Sequence, residues 1–468
     1  MNEPYTMLEK DESRSTLAFV AWHSLFWLVV ANGIGVWLAL LLLAPDAGRM
    51  MGAWSYGRWM PVHLNLQLYG WMSLPLVGWL MKLYRADHEP FARWSRAAIH
   101  LWSLTLLLGS LDWLNGHSSG KLFLDWTGWL RVLFPAMICF LWLVLAAAWQ
   151  GSRRAALRTT GLANAARGMG LLLLLLVPVA LYIACSPALY PPVNPDSGGP
   201  TGASQLESSL VIVLILFLLP YGIARRKNTG RGAIRLSWLI FIVEALLCLG
   251  LGRADVSHHR PVQFLSLASL LVWVPLIPLY FRAFQWPANT RMWRVSVLVW
   301  WALLVPSGWA LFLPGILDRL KFTDGLVGHS LLAMAGFVTS LLVLLLVALL
   351  NSETLDSEVS DHPLHRVFAA RWAFLLWQGA TLAYVVIMLY AGWIEGAYPA
   401  WTMVPSSARN TLYAVRLLLG LAMTLASANW LWRLTRAMWT RTSLFPRKEI
   451  TPDAFVCETP RPEQQVHA

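Results

Sequence analysis

The feature that most constrains this chain is its division into apolar blocks of about twenty residues, separated by short polar loops. A helix that rises ~1.5 Å per residue needs roughly 20 apolar residues to cross the ~30 Å hydrocarbon core of a bilayer. The first block, residues 17–44, reads LAFVAWHSLFWLVVANGIGVWLALLLLA. With 57% hydrophobic and only 13% charged residues, the sequence predicts an all-α polytopic membrane protein, because helices satisfy their own backbone hydrogen bonds in lipid.

The apolar blocks predict a bundle of about twelve transmembrane helices. They are expected near residues 17–44, 60–82, 97–114, 127–149, 167–186, 208–224, 233–251, 262–284, 293–313, 325–350, 368–394 and 411–433. We therefore divide the chain into an N-terminal segment (1–16), a transmembrane bundle (17–440) and a C-terminal tail (441–468). The tail is polar and contains several prolines, a composition that is typical of disorder. No internal repeat of the inverted kind that many transporters use is obvious in the sequence.

The charges of the loops predict the orientation of the bundle. The loops after even-numbered spans are basic, as in KLYRADHEPFARWSR and ARRKNTGRGAIR, whereas the other loops, such as SPALYPPVNPDSGGPTGASQLESS, nearly lack Lys and Arg. By the positive-inside rule, both termini are predicted to be cytoplasmic in a multi-pass, bacterial-type inner membrane protein. The same loops account for the net charge of +12, so nucleic acid is not an expected partner.

The cysteines do not form a metal-binding or haem-attachment motif. The four cysteines are scattered, and no CxxC or CxxCH occurs. The sequence therefore encodes neither a structural zinc site of that type nor covalent c-type haem.

Four histidines are predicted to lie in the outer third of the membrane or at its edge. His63 begins the second span in MPVHLNLQLYGWM, His258 and His259 follow the seventh in GRADVSHHRPVQF, and His329 begins the tenth in DGLVGHSLLAMAGF. Neutral imidazole ligates haem iron and copper, and ionisable groups inside spans usually mark function. Histidines at span ends are also common without a ligand. Their shared depth in the membrane therefore leaves two interpretations open, a metal or haem site and ordinary interfacial histidines.

These residues and the span count resemble subunit I of the haem–copper oxidases, nearest to the C-type oxidase and nitric oxide reductase branch. In that family the second span opens with a haem-ligating histidine, which VHLNLQLYGW matches with His63. A His-His pair after the seventh span binds copper or iron, and SHHRPVQF matches it with His258 and His259. The tenth span carries Gly-His-x-His and then a Gly-aromatic pair. GHSLLAMAGF matches its first histidine with His329, so the resemblance implies that His329 ligates haem.

The sequence also departs from the family pattern. Leu331 stands where the second histidine of the tenth span would ligate the low-spin haem. Ser204 and Gln205 lie near the expected position of another metal-ligating histidine, and no active-site tyrosine is found in LSWLIFIVEALLCLG. A complete centre of two haems and one metal is therefore not recognisable, and no catalytic residue is assigned.

The first functional hypothesis is a divergent oxidase subunit I-like protein in a respiratory electron-transfer complex. The resemblance implies one or two haems on His63 and His329, and copper or iron on His258 and His259. Its partners would be membrane lipids and other respiratory-complex subunits that carry c-type haem or copper.

Within that hypothesis, Glu244 and Arg416 have two interpretations each and Arg409 has one. Glu244 in the seventh span is either a proton relay or a hydrogen bond between helices. Arg409 and Arg416 are expected to face haem propionates, and the other interpretation of Arg416 is a side chain that snorkels to the membrane surface.

Two other functions stay open. A non-catalytic structural or assembly paralogue in such a complex would account for the missing ligands. A transporter unrelated to haem is the third hypothesis, since twelve spans are also common in transporters and a fold does not fix a function.

Overall fold

The computed structural model describes residues 3–154, 161–189, 203–251, 257–350, 363–401 and 404–444. In this part of the chain the only strands are β1 (Arg225–Arg226) and β2 (Phe284–Gln285), which pair antiparallel. The α-helices are α1 (Glu3–Leu43), α2 (Tyr56–Asn65), α3 (Ser73–Tyr84), α4 (Ala92–Leu114), α5 (Leu130–Arg154), α6 (Gly161–Ala184), α7 (Ala203–Leu218), α8 (Arg231–Leu251), α9 (Pro261–Ala268), α10 (Trp273–Arg282), α11 (Arg291–Leu311), α12 (Ile316–Leu320), α13 (Asp324–Leu331), α14 (Thr339–Leu350), α15 (Arg371–Ala397) and α16 (Ser407–Leu444).

Two helical runs contain a π-helical segment. Leu66–Met72 joins α2 to α3, and Leu332–Val338 joins α13 to α14, so residues 56–84 and 324–350 each form one continuous run. A π-segment widens the helix locally and is frequent at functional sites.

Ten predicted spans are confirmed as helices that are long and apolar enough to cross a membrane, within the residues that the structure describes. These helices are Ser13–Leu43, Ala92–Leu114, Leu130–Arg153, Ala163–Ala184, Asn228–Leu251, Pro261–Arg282, Ala288–Leu311, Asp324–Leu350, Arg371–Ala397 and Ser407–Trp439. The chain is accordingly an all-α, multi-pass membrane protein. Of the other two predicted spans, 60–82 lies within the π-containing run 56–84, and 208–224 overlaps a shorter apolar helix, Leu206–Leu218. The count of twelve stays a prediction.

The helices extend beyond the predicted ends of the bundle. Helix α1 begins at Glu3, so most of the predicted N-terminal segment (1–16) continues directly into the first span. Helix α16 ends at Leu444, so the predicted tail begins as helix. Residues 445–468, which make up most of that tail, lie outside the described residues.

Apolar side chains form two main cores. One core joins α1 to α6, the other joins α7, α8, α10, α11 and α13 to α16, and α1 and the run 56–84 contribute to both. The run 324–350 is central, with 78% of its most apolar window buried, whereas the corresponding values are 11% for Ala163–Ala184 and 17% for Asn228–Leu251. Since lipid tails are as apolar as leucine, close packing and interhelical hydrogen bonds must hold the central run in place.

Candidate histidine sites

His63 lies on α2 and is held against α1 by a hydrogen bond. Its Nδ1 is 2.8 Å from the carbonyl oxygen of Ala31. Because a carbonyl only accepts, Nδ1 must carry the proton, which leaves the lone pair of Nε2 available. A Cβ at Gly35 would lie 2.8 Å from Cε1 of His63, so glycine leaves room for the ring. Metal-ligating histidines are commonly fixed in this way through their other nitrogen.

His329 lies on α13 and faces α11. A Cβ at Gly308 would lie 3.4 Å from Cε1 and 3.6 Å from Nε2 of this half-buried imidazole. The ring makes no hydrogen bond to any described residue. A polar group without a partner inside an apolar span is unfavourable, which is consistent with a position that serves a ligand.

The helical runs that carry these two histidines are built alike. In both runs a glycine follows the histidine by seven residues and an aromatic residue follows by eight, as in HLNLQLYGW and HSLLAMAGF. A Cβ at Gly70 would lie 2.5 Å from Cβ of Trp27, and a Cβ at Gly336 would lie 2.6 Å from ring atoms of Trp300. Each glycine therefore admits a tryptophan from the neighbouring helix.

The neighbouring helices repeat the same spacing. On α1, Trp27 and Gly35 are eight residues apart, and on α11, Trp300 and Gly308 are eight residues apart. In both runs the π-helical segment begins three residues after the histidine. The segments α1–α3 and α11–α14 thus share one arrangement of histidine, glycine, aromatic residues and π-segment. The sequence analysis missed it, although the shared spacing from histidine to glycine and aromatic residue was visible.

The two helical runs are parallel neighbours. The Trp71 indole donates to Thr339 Oγ1 at 3.1 Å, and a Cβ at Gly78 would lie 3.7 Å from Leu349 Cδ1. The residue numbers increase in the same direction in both runs. The two histidines precede Trp71 and Thr339 by eight and ten residues. At ~1.5 Å per residue they lie ~12 and ~15 Å from this contact, at similar depth.

A buried ion pair links the starts of these runs. Arg416 on α16 donates to Asp324 Oδ2 at 3.1 Å, and its side chain is only 13% exposed. Tyr384 lies within electrostatic range of the same guanidinium. Tyr56, the first residue of α2, lies within electrostatic range of Arg416 and Asp324. The backbone N–H of Asp324 donates to Glu395 Oε2 at 2.6 Å. The pairing gives Arg416 a partner inside the bundle, unlike the snorkelling side chain that was one interpretation.

His258 and His259 meet a carboxylate. Asp318 Oδ1, on α12, lies 3.0 Å from His258 Nε2 and 3.3 Å from His259 Nε2. The side chain of His258 is fully buried, that of His259 is 53% exposed, and that of Asp318 is 33% exposed. The sequence analysis missed Asp318, because no motif connects it to residues 60 positions away.

The surroundings of Asp318 favour its ionised form. Partial burial opposes ionisation, but the Gly315 backbone N–H and the two imidazoles outweigh it and hold the pKa of Asp318 below its ordinary value. The Gly315 N–H donates to Oδ2 at 3.1 Å, which leaves Oδ1 facing the histidines. Lys321 Nζ also lies 3.6 Å from Oδ1.

Glu244 accepts hydrogen bonds at both carboxylate oxygens. The hydroxyl of Ser269 donates to Oε1 at 2.6 Å, and the indole of Trp273 donates to Oε2 at 2.5 Å. These bonds join α8 to the helical segments that follow it, which supports the interpretation as a contact between helices.

The remaining predicted positions are dispersed. Leu331 packs against the larger apolar core. The guanidinium of Arg409 lies 5.7 Å from the ring centroid of Tyr413. Ser204 and Gln205 lie in α7, and their side chains are outside the described residues.

The structure thus brings His258 and His259 together with Asp318, and it places His63 and His329 in two matched sites on adjacent runs. No model of a known protein family matches this chain, and a search of curated proteins finds no significant match.

Proposed function

We propose that this chain is a haem-binding membrane protein, similar to oxidase subunit I, that takes part in respiratory electron transfer. His63 and His329 would hold the haem, and a bound haem would supply a one-electron redox centre. Partner subunits with c-type haem or copper would deliver electrons, because the chain carries neither a CxxCH motif nor a cysteine-based copper motif. In this proposal the protein lies in the inner membrane with both termini in the cytoplasm.

The observation that carries the proposal is the state of the His63 ring. Its Nδ1–H is bound to the Ala31 carbonyl, so Nε2 offers an unprotonated nitrogen inside the bundle. His329 adds a second imidazole that makes no hydrogen bond to a described residue, at similar depth on the parallel run. Haem iron takes axial imidazole ligands of this kind.

Because Leu331 replaces a ligand histidine, the number of imidazole ligands on each haem iron depends on whether His63 and His329 share one haem. If His63 and His329 hold separate haems, each iron has one protein ligand and is high-spin. If they share one iron, it has two imidazole ligands and is low-spin. The absorption spectrum separates these two arrangements.

The test is a visible spectrum of the full chain, purified with its partners from a haem-replete host. We expect a Soret band that is lost or shifted in His63→Ala and in His329→Ala. His117→Ala is the matched control, since His117 is an exposed loop histidine bound to Asp112 at 2.7 Å. A haem-free wild-type protein, or a band that both substitutions leave unchanged, would contradict the proposal.

A structural or assembly paralogue is the second candidate. Leu331 favours it, because a leucine packed in the apolar core replaces an expected ligand. A folded, haem-free protein that copurifies with respiratory subunits would support this candidate instead.

A further inference from the structure

We infer that His258, His259 and Asp318 form a binding site for one divalent cation of the Zn²⁺ class. The resemblance implies copper or iron on the two histidines alone, and the carboxylate changes that expectation. Two imidazole nitrogens and one carboxylate oxygen are a common protein ligand set for Zn²⁺. The inference does not depend on haem binding.

The spacing of the three ligand atoms matches a single small ion. Zn–N and Zn–O bonds of about 2.0–2.1 Å in a tetrahedron place the ligand atoms roughly 3.3–3.4 Å apart. The carboxylate oxygen is 3.0 Å from one imidazole nitrogen and 3.3 Å from the other. All three ligand atoms lie within 4.8 Å of one another. Small side-chain movements would therefore suffice to coordinate the ion.

The carboxylate is oriented by a neighbour that is not a ligand. The Gly315 backbone N–H holds Oδ2, so the other oxygen faces the histidines. Such outer hydrogen bonds orient metal ligands and increase affinity. His258 adds a fully buried ligand, whereas His259 is 53% exposed. Water therefore reaches the site and would fill the fourth coordination position.

The site joins two segments that connect the long helices. His258 and His259 precede α9, whereas Asp318 lies on α12, between α11 and α13. A bound cation would tie these segments together. It would stabilise the folded protein, because the unfolded chain does not hold the three ligands in place.

Lys321 should lower the affinity of the site for a cation. Its ammonium group, 3.6 Å from Asp318 Oδ1, repels an incoming cation. Lys321→Ala should therefore tighten binding by up to about 30-fold, which corresponds to a unit charge ~4 Å from a divalent cation in a water-like dielectric. Asp318→Asn and His259→Ala remove ligands and should weaken binding by at least about 100-fold, since even outer-shell changes cost 10–100-fold.

The experiment titrates the full chain in detergent, without a histidine tag and after treatment with a chelator. Co²⁺ is followed by its visible d–d absorption, Zn²⁺ is added to displace it, and bound metal is counted by mass spectrometry. We expect one ion per chain and an increase in the unfolding temperature with Zn²⁺. His117→Ala is the matched control, because the exposed His117 also pairs with a carboxylate, that of Asp112, but this pair contains only one histidine.

The inference is overturned if the wild-type protein binds no stoichiometric Zn²⁺. It also fails if Asp318→Asn and His259→Ala bind as the wild type does, or if His117→Ala abolishes binding. Circular dichroism of each variant shows whether it is folded. A haem-free protein that binds one Zn²⁺ would support this inference while contradicting the proposed function, so the two failures are distinguishable.

Discussion

Replacing Gly35 with alanine tests whether α1 fixes the ring of His63. A Cβ at this position would lie 2.8 Å from His63 Cε1, about 0.6 Å inside ordinary van der Waals contact at 3.4 Å. The ring must move away by about that distance. Its hydrogen bond to Ala31, now 2.8 Å, would lengthen toward ~3.4 Å, beyond the range of good N–H···O bonds.

The expected cost follows from three terms. Loss of the hydrogen bond costs about 0.5–1.5 kcal/mol. Overpacking costs about 1–3 kcal/mol. Alanine recovers up to about 1 kcal/mol, because it is a better helix former than glycine. We therefore expect Gly35→Ala to lower the free energy of unfolding by about 1–3 kcal/mol.

Gly308→Ala is the matched control, since this glycine also faces a histidine. Its Cβ would lie 3.4 Å from His329 Cε1, which is ordinary contact. This variant should remain within about 1 kcal/mol of the wild type, on the stabilising side. The assay is SDS-induced unfolding in detergent micelles, followed by tryptophan fluorescence. Equal effects of the two substitutions, or a Gly35→Ala variant as stable as the wild type, would refute the reasoning.

Two further predictions concern packing and pH. Gly336→Ala should destabilise the protein by about 1–3 kcal/mol, because its Cβ would lie 2.6 Å from the Trp300 ring. Gly379→Ala is the control and should not destabilise it, because a Cβ there would have nothing within 4 Å. The same SDS titration measures both variants, and equal stabilities would contradict the prediction. Burial opposes ionisation of Asp87, but bonds from His88 and Ser13 and the charge of Lys82 hold its pKa below its ordinary value. Its carboxylate should stabilise the protein above about pH 4, the ordinary pKa of aspartate, and lose that contribution as pH falls further. Asp87→Asn should lower stability by about 1–3 kcal/mol at pH 7 and flatten the acid limb of a stability–pH curve; an unchanged acid limb would contradict the assignment.

The sequence by itself determined the class of protein and the position of ten spans. This was possible because crossing a bilayer imposes a local requirement, about twenty apolar residues in a row, that each segment meets independently. It also marked His258 and His259 as a pair, because they are adjacent in the chain. The two spans that do not meet the criterion have physical reasons. One is less apolar, because its first half carries His63, Asn65 and Gln67, and the apolar part of the other is short (Leu206–Leu218).

The tertiary structure alone decided which distant residues meet. Asp318 joins His258 across 60 positions, and Arg416 joins Asp324 across 92. Neither pairing is encoded in a sequence motif, because ion pairs between helices depend on how whole helices pack. The matched sites of His63 and His329 show the same limit. Their spacing is readable in the sequence, but only the packing of the neighbouring helices α1 and α11 shows that glycines and tryptophans eight residues apart complete both sites.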